Sequence, residues 1–367
     1  MIAGNGSIVL KLLSRKGVPN SLIKPICTLK KFTCLAYLRK PKPGLKVMDH
    51  SNGEMPQIED LDLKATSLLK DWKEVSIPVP WGTIAGKAWG NPCGYPVLGL
   101  HGWQDNAGTF DRLAPLLPDK FYFLAVDLPG HGLSSHYPPG MTYAFQDMLL
   151  HVKFIFNHLQ WKKCSLVGHS MGGAVSMMFG ALMPTLVDKI ISIDLVKPMG
   201  YDTKIHPDKT LRAISSYFDI LKKTEGKPPC YTYDEAKRRL LVANAGSITP
   251  ESADVLMVRG TRKTEEGLYY FSRDLRQTIP GLVSVNNDSL KELLSRIRVP
   301  FMIIKGTQGP LYEPEELYND FINTYNESSP RFEYVKVDGT HHLHLNTPER
   351  VASHIIRFLD APPLAGL

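Results

Sequence analysis

The sequence Gly-His-Ser-Met-Gly-Gly at residues 168–173 constrains the fold most, and it follows directly on the apolar run 164–167. Residues 174–182 are compatible with a helix. A strand, a sharp turn and a helix in this order are the setting of a nucleophile elbow. Side chains two positions before and after the serine would collide in so tight a turn, so glycine is needed at 168 and 172. We therefore expect Ser170 at the edge of a sheet, at a helix N-terminus that favours a negatively charged intermediate.

Short apolar runs alternate with helical stretches around this motif. Buried strands are predicted at 96–100, 122–126, 165–167 and 189–195. A hairpin over 75–89 precedes them, and helices are predicted at 109–117, 143–159 and 174–182. Short continuous apolar strands separated by helices indicate a parallel sheet covered on both faces. The fold class is therefore α/β.

The alternation stops at about residue 199, and helices with polar loops are predicted from there to 297. Strands resume at 299–304 and 332–337. We therefore expect two parts of one α/β core, 49–198 and 298–367, with a helical cap at 199–297. Such an insertion would lie over the carboxyl ends of the strands, where open α/β sheets bind ligands.

The basic charge of the chain belongs to its first 48 residues. The formal net charge is +7, but residues 1–48 contain ten Lys or Arg and no Asp or Glu, which leaves −3 on the remainder. The body therefore shows no basic surface suited to nucleic acid. The extension resembles a mitochondrial transit peptide, and the alternative is an exposed tail with weak affinity for anionic membrane surfaces. The five cysteines have no metal-ligand spacing and indicate free thiols in a reducing, intracellular compartment, mitochondrial or cytoplasmic.

Two further segments complete the chemistry that the elbow predicts. His-Gly-Trp at 101–103 ends an upstream strand, so the amide of Trp103 is expected to form an oxyanion hole with that of Met171. The segment Asp-Gly-Thr-His-His-Leu-His at 338–344 follows the last strand and offers three histidines as the base that a serine hydroxyl needs. We choose His341, and we expect His342 and His344 to line the pocket or to make structural hydrogen bonds.

The loop at 127–134 is expected to be structural. Its sequence is Asp-Leu-Pro-Gly-His-Gly-Leu-Ser, and its glycines suit a tight loop beside the sheet. We expect Asp127 to order this loop, and His131 to be neither acid nor base.

These segments, in this order, resemble the α/β-hydrolase fold superfamily, and within it the serine hydrolase-like (kraken-like) group. The sequence His-Gly-Trp-Gln-Asp-Asn at 101–106 is the most telling piece, and the resemblance covers roughly residues 74–360. It implies the α/β-hydrolase fold, an eight-stranded and mostly parallel sheet with helices on both faces, a helical lid and a Ser-His-acid triad. It does not cover the basic extension.

The triad acid departs from the pattern of the family. The family often places it in a Gly-x-x-Asp-Pro sequence after the penultimate strand, whereas this chain has Gly309 at that aspartate position. The other placement is the end of the strand before the cap, where the chain has Asp194. We choose Asp194 as the acid, with Glu313 as the alternative. If Asp194 is not the acid, it is expected to be a structural carboxylate that caps the loop into the lid.

A serine nucleophile predicts a serine hydrolase of carboxylesterase type, which forms an acyl-enzyme on Ser170 from a small ester or thioester substrate. This chemistry needs no metal or cofactor, and the sequence shows no metal cluster or phosphate-binding loop. The cap aromatics are expected to enclose an apolar acyl group or to form the core of the cap: Tyr217, Phe218, Tyr269, Tyr270 and Phe271. The alternative is a non-catalytic relative whose pocket binds a small apolar ligand or a protein partner.

Overall fold

Strands and helices alternate along the described chain, which comprises residues 71–201, 204–224, 226–279, 281 and 285–362 of a computed structural model. The strands are β1 (Trp72–Val79), β2 (Gly82–Trp89), β3 (Tyr95–Leu100), β4 (Phe121–Val126), β5 (Cys164–His169), β6 (Val187–Ile193), β7 (Thr261–Lys263), β8 (Tyr269–Phe271), β9 (Phe301–Gly306) and β10 (Phe332–Val337). The helices are α1 (Asp147–Leu159), α2 (Met171–Leu182), α3 (His206–Thr224), α4 (Tyr233–Ala243), α5 (Pro250–Gly260), α6 (Asn287–Leu294), α7 (Glu315–Ser328), α8 (Leu343–Asn346) and α9 (Glu349–Asp360).

The main sheet has eight strands in the order β1-β2-β4-β3-β5-β6-β9-β10. Strands β1 and β2 pair antiparallel, and β2 pairs antiparallel with β4. The pairings from β4 through β10 are parallel. This arrangement confirms the predicted eight-stranded, mostly parallel sheet, and it brings the carboxyl ends of β3, β5, β6, β9 and β10 to one edge.

Helices cover both faces of this sheet, as its apolar strands require. Alternate strand residues such as Leu166 and Phe301 pack with α1, α2, α6 and α7 in one core cluster. Their neighbours in the strands, such as Val167 and Met302, pack with α9 and the segment around Phe110 in the other. The period of two follows from the alternation of side chains across a pleated strand.

The segment between β6 and β9 carries α3, α4, α5, the β7–β8 hairpin and α6. Side chains of Thr232, Thr249 and Asn286 cap the N-termini of α4, α5 and α6, as these residue types favour. Leu290 and Leu294 of α6 are buried in the same core cluster as α2. The cap with bounds 199–297 stays a prediction, within which α6 packs against the body.

Two elements differ from expectation. The helix predicted at 109–117 is instead two short 3-10 helices, Ala107–Phe110 and Ala114–Leu116. Pro115 explains the break, because proline has no amide hydrogen to donate within an α-helix. Helix α7 was not predicted, although Pro314 precedes it and two glutamates occupy its first turn.

The predictions for residues 1–48 lie outside the described residues. In the part of the chain that the structure describes, no helix is both long and apolar enough to cross a membrane. The cysteines at 93, 164 and 230 are free thiols.

Candidate active site

Ser170 lies in the turn between β5 and α2 in a strained backbone conformation. Its φ is 49° and its ψ is −115°, a combination that non-glycine residues seldom adopt. A Cβ on Gly168 would overlap the backbone of Gly172, and a Cβ on Gly172 would overlap the carbonyl of Leu100. The backbone amide of Ser170 donates to the carbonyl of Ile193 at 3.0 Å, which fixes the turn against β6. The expected elbow and its need for two glycines are therefore borne out by the geometry.

His341 and Asp194 meet across the carboxyl ends of β10 and β6. The ring Nδ1 of His341 lies 2.5 Å from Oδ2 of Asp194. A carboxylate only accepts, so Nδ1 carries the proton and Nε2 of the neutral ring keeps its lone pair. Among the described residues, Nε2 and the Ser170 hydroxyl make no hydrogen bond with each other, and such bonds often form only when substrate is bound.

The second oxygen of Asp194 is also fully engaged. Oδ1 accepts from Nζ of Lys305 at 2.6 Å and from the backbone amide of Gly306 at 2.8 Å. Asp194 is 1% exposed, and Lys305 supplies its positive partner inside the protein. A Cβ on Gly309 would overlap this carboxylate and the Lys305 amine. The carboxylate thus fills the space that a side chain at 309 would need.

Glu313, the alternative acid, is held elsewhere. Its Oε2 pairs with the buried amine of Lys197, and its Oε1 accepts from Nδ2 of Asn287 at 3.3 Å. The structure therefore brings Asp194, and not Glu313, to the His341 ring.

The two expected oxyanion donors, Trp103 and Met171, border the same cavity as Ser170. Met171 is the first residue of α2, and Trp103 follows β3. Within the described residues, neither backbone amide has a hydrogen-bond partner. The indole Nε1 of Trp103 donates to the carbonyl of Gln277 at 2.8 Å, which joins this loop to the segment between β8 and α6.

His101 supports the Trp103 loop, a role that sequence reasoning missed. Its Nε2 accepts from the amide of Leu128 at 2.9 Å, so its Nδ1 carries the proton and donates to the carbonyl of Gly102 at 2.7 Å. Burial lowers the pKa of His101 and keeps the ring neutral. The His-Gly dipeptide at the strand end was the available signal.

The cavity beside Ser170 has a volume of about 520 Å³ and a largely apolar wall. The wall includes Phe145, Met148, Met178, Leu195 and Ile279. None of the five cap aromatics expected around an acyl group lines it. Tyr270 and Phe271 line a second cavity of about 1100 Å³, and Phe218 is 57% exposed. The residues that line this cavity were not predicted from the sequence, because the wall comes from α1, α2 and loops rather than from an aromatic cluster.

Asp127 orders the 127–134 loop, as expected. Its carboxylate accepts from the amides of Ala107 at 2.7 Å and Leu133 at 2.8 Å, and it pairs with the buried guanidinium of Arg259. Burial works to raise the pKa of Asp127, but Arg259 and the two amides hold it below its usual range. Arg259 also pairs with Glu74 at 2.8 Å, so one α5 residue joins the insertion to the core. This role was not predicted.

His131 is buried and structural. It accepts from the amide of Gln104 through Nε2 at 3.3 Å, and its Nδ1 donates to the carbonyl of Pro129 at 3.2 Å. Burial lowers the pKa of His131 to about 3, so the ring is neutral near pH 7.

His342 and His344 lie behind the elbow, next to His169 and Asp105. His342 contacts Asp105 at 3.2 Å through Nε2, and His344 contacts the hydroxyl of Thr109 at 2.9 Å. Burial lowers the pKa of His169 to about 4 and that of His344 well below its ordinary value. Neither His342 nor His344 borders the 520 Å³ cavity, so they act in structural contacts rather than as its lining.

The chain is similar to known proteins over most of its length. Residues 95–221 match the family model described as the alpha/beta hydrolase fold. The chain is 43% identical over 319 residues to "Probable serine hydrolase" of Drosophila melanogaster, covering 86% of this chain and 95% of the relative. It is 38% identical over 299 residues to "Serine hydrolase-like protein" of Danio rerio, covering 80% and 90%. A crystal structure of a hypothetical protein from Pseudomonas aeruginosa PAO1 superposes with a TM-score of 0.69 at 30% identity, covering 78% and 97%.

The match to the family model includes Ser170 and Asp194, and the relative from Drosophila melanogaster is similar over most of the chain. The chain therefore belongs to the serine hydrolase-like proteins of the α/β-hydrolase fold.

Proposed function

We propose that this protein is a serine hydrolase that cleaves an ester or thioester through an acyl-enzyme on Ser170, without a cofactor. The observation that carries the proposal is the Asp194–His341 contact of 2.5 Å at the strand edge that also holds the strained Ser170 turn. A carboxylate that orients an imidazole beside a serine at an elbow is the arrangement that activates a hydroxyl for acyl transfer.

In the first half of the reaction, Nε2 of His341 takes the hydroxyl proton while Oγ of Ser170 bonds to the acyl carbon. The carbonyl oxygen becomes an oxyanion, to which the amides of Trp103 and Met171 donate. Each such donor is worth about 3 kcal/mol of transition-state stabilisation. The tetrahedral intermediate then expels the alcohol or thiol, which receives its proton from Nε2.

In the second half, water gives a proton to Nε2 of His341 and attacks the acyl carbon. Collapse of the second intermediate releases the acid and returns the proton to Oγ of Ser170. Asp194 stabilises the imidazolium in both halves and stays ionised. Lys305 and the Gly306 amide hold the carboxylate in the required orientation.

The apolar cavity supports a small or medium acyl group as the bound part of the substrate. Its volume of about 520 Å³ lies in the range of small-molecule pockets. Residues 277–279 contribute to its wall and belong to the insertion, which supports the 199–297 segment as the cap over the site.

Labelling with a fluorophosphonate probe tests the proposal. The full chain should label, whereas Ser170→Ala and His341→Ala should not. Ser176→Ala is the matched control, because Ser176 lies in α2, the helix that follows Ser170, and its hydroxyl donates to the Gly172 carbonyl at 2.8 Å. Labelling that persists in Ser170→Ala would overturn Ser170 as the nucleophile. Absence of labelling in folded wild type with probes of several sizes would instead favour a non-catalytic relative that binds an apolar ligand.

A further inference from the structure

Three buried side chains from three separate loops converge behind the candidate active site. They are Asp105 after β3, His169 at the end of β5 and His342 after β10. Oδ2 of Asp105 lies 3.4 Å from Nδ1 of His169 and 3.2 Å from Nε2 of His342. The three atoms all lie within 4.8 Å of one another.

The hydrogen bonds of His169 leave its Nδ1 with a lone pair. Its Nε2 lies 3.0 Å from the backbone carbonyl of His341, and a carbonyl only accepts, so Nε2 carries the ring proton. Nδ1 is buried and has no hydrogen-bond partner. A lone pair that faces a carboxylate oxygen at 3.4 Å is unfavourable unless a positive charge lies between the two.

Asp105 also lacks a permanent positive partner. Among the described residues, no lysine or arginine lies within 4.0 Å of its carboxylate, and its side-chain contacts are the two histidines and the Thr109 hydroxyl at 3.5 Å. Its side chain is 5% exposed. Buried carboxylates in proteins are paired with a cation or coordinate a metal.

We propose that Oδ2 of Asp105, Nδ1 of His169 and Nε2 of His342 bind one transition-metal dication, for which Zn²⁺ fits best. Two imidazoles and one carboxylate are a donor set that Zn²⁺ accepts, with water or another donor in the fourth position. For bonds of about 2.0 to 2.1 Å in a tetrahedron, donor atoms are separated by about 3.3 Å. The separations of 3.4 Å and 3.2 Å from Oδ2 match that spacing, and the two ring nitrogens, which lie within 4.8 Å of each other, would complete the set by a small movement of the imidazoles.

The outer hydrogen bonds of the two histidines also suit metal binding. His169 donates through Nε2 to the His341 carbonyl, and Nδ1 of His342 lies 2.5 Å from the hydroxyl of Ser247. Ligating histidines usually make such a bond through the nitrogen that does not bind the metal. Asp105 lines the cavity of about 1100 Å³, which offers an entry route.

The metal would brace the active site without touching the reacting atoms. The three loops that it joins also carry Trp103, Ser170 and His341, each within two residues of a ligand. The proposal departs from the sequence expectation of no metal, because the ligands come from segments far apart in sequence. It does not rest on the proposed hydrolase activity.

Metal binding to the full, untagged chain tests the site. Protein dialysed against a chelator is titrated with Zn²⁺ by calorimetry, and with Co²⁺ by visible absorption. We expect one tight equivalent, ligand-field bands typical of mixed nitrogen and oxygen ligands, and a rise in Tm with added Zn²⁺. His342→Asn and Asp105→Asn should weaken binding at least 100-fold. His158→Asn, at the half-buried end of α1, is the control for adventitious binding to other histidines and should leave it unchanged.

Ser247→Ala keeps the test decisive if a ligand variant does not fold. It leaves all three ligands in place and removes the partner of Nδ1 in His342, so affinity should fall about tenfold. Failure of wild type to bind one saturable equivalent would overturn the proposal, and so would binding that Ser247→Ala and His342→Asn leave unchanged. A proton shared by Asp105 and the histidines would then supply the missing charge.

Discussion

The carboxylate of Asp194 occupies the space that a side chain at position 309 would fill. A Cβ on Gly309 would overlap both carboxylate oxygens and the amine of Lys305. In the pattern of the family this position often carries the acid, whereas here the carboxylate that contacts His341 is that of Asp194, directly after the neighbouring strand β6. The glycine at 309 and the aspartate at 194 therefore depend on each other sterically, because both side chains cannot occupy one place.

We predict that Gly309→Ala lowers turnover of an activated ester about 100-fold. The methyl group must displace Asp194 from Nδ1 of His341, and a displacement of about 1 Å at a catalytic group can cost that much. The measurement is kcat/KM with the variant shown to be folded by circular dichroism. Gly226→Ala is the matched control, since none of the described residues beyond its chain neighbours has an atom within 4 Å of a Cβ at that exposed position.

The reciprocal change should restore function. In the double variant Asp194→Gly with Gly309→Asp, the acid would reach the same imidazole from β9, so we expect at least tenfold more activity than Asp194→Gly alone. Activity of Gly309→Ala equal to wild type would show that the two positions do not compete.

Asp194→Asn should lower turnover about 10⁴-fold, because an amide favours the wrong tautomer of the histidine.

Glu313→Gln should keep fluorophosphonate labelling but lower the free energy of unfolding by a few kcal/mol, because it leaves the buried Lys197 amine without its carboxylate. Labelling kinetics and urea unfolding separate the two effects. The reverse result, with labelling lost in Glu313→Gln alone, would move the acid to Glu313.

Local signals predicted the elbow, because each of its requirements lies within six residues. The strand ends and the helix begins directly beside Ser170, and the two glycines lie two positions from it. The apolar runs predicted the parallel sheet. His341 was chosen among three histidines by its place two residues after Gly339 and seven before Pro348, and the structure brings that ring to Asp194. Its catalytic role stays a prediction.

Long-range contacts could not be predicted in the same way. The Asp105–His169–His342 cluster joins three loops, and Arg259 reaches Asp127 across 132 positions of sequence. The cavity wall was missed for the same reason, since Phe145 and Ile279 border one cavity only in the folded chain. Pairings of this kind depend on tertiary structure, whereas the elbow does not.

Ala174→Leu should narrow the range of acyl groups accepted. Ala174 lies one turn after Ser170 in α2 and lines the cavity, so the larger side chain takes space from the acyl group. We expect kcat/KM for a hexanoyl ester to fall at least tenfold while that for an acetyl ester changes less than threefold. Phe218→Ala is the control, since Phe218 does not line this cavity. Equal losses for both esters would contradict this assignment of the acyl site.

Arg259→Met should destabilise the protein most strongly near neutral pH. The variant leaves the buried carboxylate of Asp127 unpaired, and breaking such a pair costs about 3 to 5 kcal/mol. In wild type the pKa of Asp127 is held below its usual range, so the stability from this pair is present above the unfolded pKa of about 3.9 and is lost as pH falls through the folded pKa. In the variant, burial alone should raise that pKa.

The difference between wild type and Arg259→Met should therefore shrink as the pH is lowered from 7 to below 4. Urea unfolding at a series of pH values measures it. Arg238→Met is the matched control, because solvent screens the exposed Arg238–Glu235 pair on α4 and its loss should change the stability little. A difference for Arg259→Met that stays constant with pH would show that the lost stability comes from packing of the arginine side chain and not from its charge beside Asp127.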